Sequence, residues 1–217
     1  MGLQQILTAF KEEFSRTAPE GRVALYESKI AELRASSLLD GAVRTGESVP
    51  DFRLPNAKGK SVSLHDEIAL GPVVVTFYRG GWCPYCNIQL RAYQEILPQI
   101  QSYGAKLIAI SPELPDQSLT TAEKNSLAFD VLSDLGNRAA RSFGIVFTLP
   151  EELRVAMIAN GKALPSINGD ESWELPVPAT FVVDTNATAS LAHIDVDYRN
   201  RLEPDEILAA LKSLSSR

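Results

Sequence analysis

Cysteine and histidine are scarce in this chain, which has 217 residues and only two of each. Two cysteines this close together cannot form the disulfide framework that stabilises small secreted domains. A zinc site would need all four residues, and the two histidines lack the paired spacing typical of such sites. We therefore expect no bound metal and no cofactor, with zinc kept as an alternative. The four residues are His65, Cys83, Cys86 and His193.

Long apolar runs and an excess of basic residues are also absent. No window approaches the roughly 18 apolar residues that indicate a membrane-spanning helix. The net charge of −6 argues against a nucleic-acid-binding surface. The first six residues lack the charged start and long apolar core of a secretory signal. We expect a cytoplasmic protein without nucleic-acid or membrane partners, where two close thiols are more often catalytic or metal-binding than a static disulfide.

Both cysteines lie in residues 82–86, with the sequence Trp-Cys-Pro-Tyr-Cys. The apolar, β-branched run 72–78 predicts a buried strand, which the two glycines after Arg79 end. Pro84 suits the first position of a helix, where its missing N–H costs nothing. Apolar residues then recur at helical spacing, which predicts a helix over 84–102. Cys83 is therefore expected near the N-cap of this helix and Cys86 in its first turn.

This position favours reactive thiols. The thiolate is the reactive form, and a free cysteine has a pKa of about 8.5. A helix N-terminus stabilises an anion by roughly 0.3–1 kcal/mol, which lowers a pKa by up to about one unit. Arg79 would add to this effect if its side chain turned towards a sulfur. The pattern does not decide which of the two sulfurs benefits.

The rest of the chain predicts an α/β domain behind a helical N-terminus. Helical stripes indicate an N-terminal extension over 1–45, which would cover the core, dimerise or form an appended arm. Strands and helices alternate over 46–217, predicting one domain with parallel strands around the cysteines. A late strand over 179–184 has an antiparallel partner, and a closing helix follows. Residues 148–176 form an excursion, with a helix over 150–158 and then a loop.

Several segments resemble the peroxiredoxins of the alkyl hydroperoxide reductase/thiol-specific antioxidant (AhpC/TSA) family. The similar segments are 46–55, 59–64, 132–134, 140–144 and 180–184. The resemblance covers about residues 46–212. It implies a thioredoxin-like fold, in which a central mixed sheet is flanked by helices and preceded by the peroxiredoxin-type hairpin. The N-terminal helical segment is additional.

The resemblance also implies an activity, that of a thiol-dependent peroxidase. Hydroperoxides would be reduced through a dithiol–disulfide cycle of Cys83 and Cys86, and a thioredoxin- or glutaredoxin-type donor would reduce the disulfide. The family carries a Pro-x-x-x-Thr-x-x-Cys motif, which ends on the peroxidatic cysteine. Alignment with this motif puts Cys86 at the peroxidatic position and Cys83 in the place of the threonine. Arg79 takes the place of the motif's proline.

This sequence differs from the family pattern just before the 180–184 strand, where the family normally has a second catalytic residue, an arginine. Pro178 stands there instead and resembles the cis-proline of thioredoxin, so we predict a cis bond before it. Arg79 and Arg154 are candidates to replace the arginine. Trp82, Pro84 and Pro178 are expected to support the thiols. Trp173 and Val177, which both precede this proline in the sequence, are predicted to line the substrate groove.

Two orders of attack remain open. In peroxide reduction Cys86 attacks, becomes a sulfenic acid and condenses with Cys83. In protein-disulfide exchange Cys83 attacks and Cys86 resolves the mixed disulfide, an order that suits Trp82 and Pro178. Further alternatives are a redox-sensing module whose N-terminal helices bind a partner, and two buried, inert thiols. A homodimer is also possible.

Overall fold

The computed structural model describes residues 2–216, which form a mixed sheet covered by helices on both faces. The strands are β1 (Arg53–Pro55), β2 (Ser61–Ser63), β3 (Val73–Phe77), β4 (Lys106–Ser111), β5 (Asp130–Ser133), β6 (Val146–Thr148), β7 (Glu174–Pro176), β8 (Ala179–Val183) and β9 (Ala189–Ile194). The helices are α1 (Leu3–Thr17), α2 (Arg22–Ala35), α3 (Leu64–Ile68), α4 (Pro84–Glu95), α5 (Leu97–Ser102), α6 (Pro115–Lys124), α7 (Arg138–Ser142), α8 (Glu151–Ala159), α9 (Leu164–Asn168) and α10 (Pro204–Ser215).

The central sheet has the strand order β5-β4-β3-β8-β9. Strands β3, β4 and β5 are parallel, whereas β8 runs antiparallel to β3 and β9 antiparallel to β8. Val75 in the middle of β3 pairs with Ile108 on one side and Phe181 on the other. Every residue of β3 is buried, as expected of a continuous apolar run in a strand covered on both faces. The turn that contains the cysteines follows this strand.

Alternation along β3 sends side chains into two cores on opposite faces of the sheet. Phe77 points into one core, where it meets Phe143 and Phe181. Val74 and both cysteines belong to the other core. Leu3 and Leu7 of α1 are buried in that second core. The N-terminal helix therefore covers the part of the core that contains the cysteines.

Most of the predicted elements are found in the structure, but three predictions are wrong. The helix over 84–102 is broken between α4 and α5, because Pro98 has no N–H to continue the hydrogen-bond ladder. The loop after α8 contains helix α9 and strand β7, which pairs with β6. Leu164 and Leu175 fold this segment by packing with Leu149 in a small cluster of their own.

The third wrong prediction is the cis bond before Pro178, because the structure has no cis peptide bond within residues 2–216. Strand β7 runs almost directly into β8, so the chain stays extended through Val177 and Pro178. An extended conformation is also the one favoured before proline, and most X–Pro bonds are trans. Separately, no helix within the described residues is long and apolar enough to cross a membrane.

Candidate active site

The turn between β3 and α4 holds the two cysteines at the start of a helix, as predicted. Cys83 is the N-cap of α4, Pro84 follows in its first turn, and Cys86 lies in that same turn. Gly80 has a φ of +143°, and a Cβ there would lie 2.4 Å from Trp82 Nε1. Only glycine fits this turn, because other residues would clash and rarely adopt that backbone conformation.

Two polar side chains, Glu113 and Asn87, form hydrogen bonds to the backbone of this turn. Both carboxylate oxygens of Glu113 accept hydrogen bonds from the Gly81 N–H, at 2.9 and 3.0 Å. Asn87 Nδ2 donates to the carbonyl oxygens of Gly81 and Cys83, at 2.7 and 3.0 Å. The turn therefore has hydrogen-bond partners for both the N–H and the carbonyl of Gly81.

Cys83 is a free, fully buried thiol in contact with a cation. Arg79 Nη2 donates to its Sγ at 3.2 Å. The Arg79 guanidinium lies 3.7 Å from the Tyr198 ring centre and 5.0 Å from that of Trp82, so two aromatic faces hold it in place. Burial opposes ionisation of Cys83, but the hydrogen bond from Cys86 and the charge of Arg79 outweigh it and hold the pKa well below its ordinary value.

Cys86 is equally buried but has the opposite electrostatic balance. Burial and the hydrogen bond to Cys83 raise the pKa of its thiol well above the ordinary value. Arg201 Nη2 lies 3.5 Å from Cys86 Sγ, and Arg201 Nε donates to Gln89 Oε1 at 2.8 Å. The arginine favours ionisation without reversing the shift. The surroundings therefore favour the negative charge on Cys83 and the proton on Cys86.

The segment after β9 supplies residues that sequence reasoning missed, Tyr198 and Arg201. Tyr198 holds Arg79 in place, and Arg201 is the arginine at Cys86. Arg154, a predicted replacement for the family's arginine, instead donates to the Leu149 carbonyl oxygen and lies over the Trp173 ring. The available signal was an alternation of charged residues directly after the last predicted strand, at Asp197, Arg199 and Arg201.

The N-terminal helices anchor this segment. Arg199 Nη1 and Nη2 donate to the two carboxylate oxygens of Glu27 in α2, at 2.7 and 3.0 Å. The hydrogen bond from Arg199 outweighs partial burial and lowers the pKa of Glu27 to about 2. At the start of α1, the Glu203 carboxylate accepts from the N–H groups of Leu3 and Gln4, at 2.9 and 2.8 Å. The extension is thus tied to residues around the sulfurs.

Glu113 is a third residue that the sequence did not single out. The side chain is 2% exposed, and burial raises its pKa to about 7. The hydrogen bonds from Gly81 and Ser111 partly oppose this shift. The negative charge of the Cys83 thiolate adds to it, so Glu113 and Cys83 are electrostatically linked.

The structure brings together only some of the predicted supporting residues. Trp82 and Pro84 flank Cys83, and Pro178 shares a small cavity with Arg79 and Tyr198. Trp173 packs against the cluster around Leu149 and Leu175, which Trp82 also contacts. Val177 is buried in the core on the opposite face of the sheet from the cysteines.

The predicted metal alternative has no counterpart in the geometry. His193 lies on β9, and His65 lies on α3 with an exposed side chain. In the part of the chain that the structure describes, no three His, Cys, Asp or Glu side chains are grouped so that they could hold a metal ion.

A family model and similar sequences indicate one family. A family model described as "AhpC/TSA family" matches residues 45–190. Peroxiredoxin Q of Sedum lineare chloroplasts is 30% identical over 193 residues, which cover 87% of this chain and 88% of that protein. The corresponding Arabidopsis thaliana protein is 28% identical over 192 residues, covering 87% and 76% of the two chains.

Solved structures show the same fold. The peroxidoxin BcpB of Mycobacterium tuberculosis has a TM-score of 0.62 at 23% identity, covering 79% of this chain and 98% of that one. A peroxiredoxin Q of Xanthomonas campestris has a TM-score of 0.57 at 18% identity, covering 76% and 91%. These likenesses confirm the predicted thioredoxin-like α/β fold. The chain belongs to the AhpC/TSA family and is a thiol-dependent peroxidase of the peroxiredoxin type.

Proposed function

We propose that this peroxiredoxin reduces alkyl hydroperoxides by attack of the Cys83 thiolate, and that Cys86 then resolves the oxidised sulfur. The contact between Arg79 Nη2 and Cys83 Sγ carries the assignment. It lowers the pKa of Cys83, whereas the pKa of Cys86 is raised, so Cys83 holds the negative charge of the pair. This order is the reverse of the one that alignment with the family motif predicts.

The chemistry begins with nucleophilic attack on the peroxide. Cys83 Sγ bonds to the terminal oxygen of ROOH, the O–O bond breaks, and RO⁻ takes a proton and leaves as an alcohol. Cys83 is then a sulfenic acid. The Cys86 sulfur attacks Cys83 Sγ, its proton leaves with the hydroxyl group as water, and a disulfide forms. A dithiol donor restores both thiols by accepting the disulfide.

The charges around Cys83 support this first step. Arg79 lies where it stabilises the thiolate and the oxyanion that develops as the O–O bond breaks. Fixed hydrogen-bond donors of this kind are typically worth about 3–4 kcal/mol in a transition state. Arg79 thus takes over the function that the family gives to an arginine elsewhere in the chain.

Protein-disulfide exchange remains a second candidate, because it would use the same Cys83 thiolate. Burial of both sulfurs favours the peroxidase, since a small hydroperoxide reaches an enclosed sulfur more readily than a folded protein does. A structure of the Xanthomonas campestris bacterioferritin comigratory protein is described in terms of that protein's alkyl peroxide reduction activity. We extend that substrate class to this chain as part of the proposal.

The proposal includes a partner and a location. The electron donor is a thioredoxin- or glutaredoxin-type protein, and the site must open locally for it because neither sulfur is exposed. A reducing cytoplasm would keep both thiols free between turnovers. We also propose the division into an extension over 1–45 and a catalytic domain over 46–217. A homodimer stays a prediction.

Single-turnover oxidation of two matched variants tests the order of attack. Cys86→Ser should consume one equivalent of peroxide and hold a sulfenic acid on Cys83, which dimedone traps and mass spectrometry locates. Cys83→Ser should consume peroxide at least about 100-fold more slowly, because its remaining thiol is protonated. If Cys83→Ser reacts quickly and Cys86→Ser does not, Cys86 is the attacking residue. If neither variant nor the wild type consumes peroxide, but the wild type reduces insulin disulfides, disulfide exchange is the function.

A further inference from the structure

An aromatic cavity of about 180 Å³ lies beside the reactive turn. It opens between α1 and α2 of the N-terminal extension, the start of α4, and α8. Six of the thirteen residues that line it are aromatic, and the walls include side chains that lie far apart in the sequence. Among them are Phe10, Phe14, Tyr26, Trp82, Tyr85 and Met157.

Arg79 connects this cavity to the sulfur. Its side chain lines the cavity, while its Nη2 donates to Cys83 Sγ at 3.2 Å. Arg79 Nε is buried and has no hydrogen-bond partner among residues 2–216. Leaving a buried donor unpaired costs about 1–3 kcal/mol, more for a charged group, unless a ligand accepts from it.

We propose that this cavity binds the organic group of a ring-bearing hydroperoxide and presents its oxygens to Arg79 beside Cys83. The proposal rests on the proposed function and narrows its substrate class. An apolar cavity of about 150 Å³ is large enough to bind benzene, so this one has room for a ring. Ring faces and edges on its walls would pack against an aromatic substrate. Hydrogen peroxide has no organic group to pack against these walls, so it would gain no binding free energy from them.

The N-terminal extension builds part of this binding site. Phe10 and Phe14 lie on α1, and Tyr26 on α2 stacks on Phe14 with ring centres 5.9 Å apart. Phe10 meets Tyr85, which lies between the two cysteines, edge-on at 5.0 Å. The pair Glu27–Arg199 fixes α2 on the segment that carries Tyr198. The extension is therefore a specificity-determining part of the enzyme.

Filling the cavity tests the proposal through a ratio of two rates. The readout is kcat/KM for cumene hydroperoxide divided by kcat/KM for hydrogen peroxide, with the full chain and the same donor. Met157→Trp places an indole in the cavity and should lower this ratio about 10-fold or more, the usual effect of losing an apolar subsite. Ile158→Trp is the matched control, because Ile158 is the next residue on α8 and is 55% exposed. It should keep the wild-type ratio.

Phe14→Ala provides an independent variant in case Met157→Trp does not fold. It removes one wall and should raise KM for cumene hydroperoxide more than KM for hydrogen peroxide. If both variants leave the ratio at the wild-type value, the cavity does not bind the organic group and the proposal is wrong. If the wild type consumes neither peroxide, the proposed function itself has failed, and that result is distinct from an unchanged ratio.

Discussion

Cys83 and Cys86 lie within one helical turn of each other and are equally buried, yet only one of them has a lowered pKa. Burial alone would make both thiols inert, because it disfavours the charged form. The difference comes from position and from neighbouring charge. Cys83 is the N-cap and receives a hydrogen bond from Arg79, whereas Cys86 lies three residues into the helix and hydrogen-bonds to Cys83.

This comparison shows how a buried pair can be reactive. Two thiolates side by side would repel each other, so the pair titrates as a unit. The arginines decide which sulfur carries the charge, and the proton on Cys86 stabilises the Cys83 thiolate. In the order of attack that we propose, the same contacts prepare the attacking thiolate and the protonated resolving thiol.

The largest effect is expected from Arg79. Arg79→Met removes the cation at Cys83, so the second-order rate constant with hydrogen peroxide should fall about 10³-fold. Arg201→Met, at the other sulfur, should slow the same step only about tenfold, since its charge acts on Cys83 from farther away. Stopped-flow fluorescence of the reduced variants measures both constants. Equal losses, or a larger loss for Arg201→Met, would contradict the difference described between the two sulfurs.

The second-largest effect is expected from Glu113, and it concerns how the free energy of unfolding depends on pH. Its pKa is about 7 in the folded protein and about 4.5 in the unfolded chain. Its contribution to stability is therefore complete below pH 4.5 and is lost as the pH rises to about 7. Relative to Glu113→Gln, the wild type should lose up to roughly 3 kcal/mol of unfolding free energy across this range.

Urea unfolding of the reduced proteins at pH 5 and pH 8 measures this change. Glu113→Gln keeps one acceptor for the Gly81 N–H, so the turn should survive the substitution. The same variant should also lower the pKa of Cys83, because it removes a negative charge that faces the thiolate. Parallel pH dependences of the two proteins would show that Glu113 is ionised throughout.

Glu27 gives the smallest effect, because its side chain is 45% exposed. Its pKa of about 2 lies below the unfolded value of 4.5, so its contribution is present above pH 4.5 and is lost as the pH falls towards 2. After allowance for solvent screening, Glu27→Gln should cost about 1 kcal/mol at pH 7 and less at pH 3. Glu32→Gln on the same helix is the control, since the Glu32 side chain is 57% exposed. Equal losses for the two variants would mean that Glu27 contributes no more than an ordinary surface pair.

The sequence predicted the local parts of the site well. A buried apolar strand, two glycines and a proline after the first cysteine are neighbours in the chain, so their pattern predicted the strand, the turn and the N-cap. The residues that set the charge are distant in sequence. Arg201 meets Cys86 across 115 positions, and Glu113 meets Gly81 across 32. No local pattern indicates such contacts, because they depend on how the whole sheet is assembled.

The alignment with the family motif had a similar limit. It identified both cysteines and assigned the attack to Cys86 from sequence positions alone, whereas our proposal weighs the neighbouring charges and assigns the attack to Cys83. It also emphasised Pro178, whose bond is trans, and Val177, which is buried in the other core. The segment after β9 carries Tyr198, which holds Arg79 in place. Tyr198 lies outside all five segments that resemble the family.

Titration of the two thiolates in single-cysteine variants tests the central claim most directly. Absorbance at 240 nm follows the thiolate of Cys86→Ser, which retains Cys83, and of Cys83→Ser, which retains Cys86. We expect Cys83 to titrate well below the free-cysteine value of about 8.5 and Cys86 to titrate above it. If Cys86 titrates below Cys83, the assignment of the charge to Cys83 is wrong, and with it the proposed order of attack.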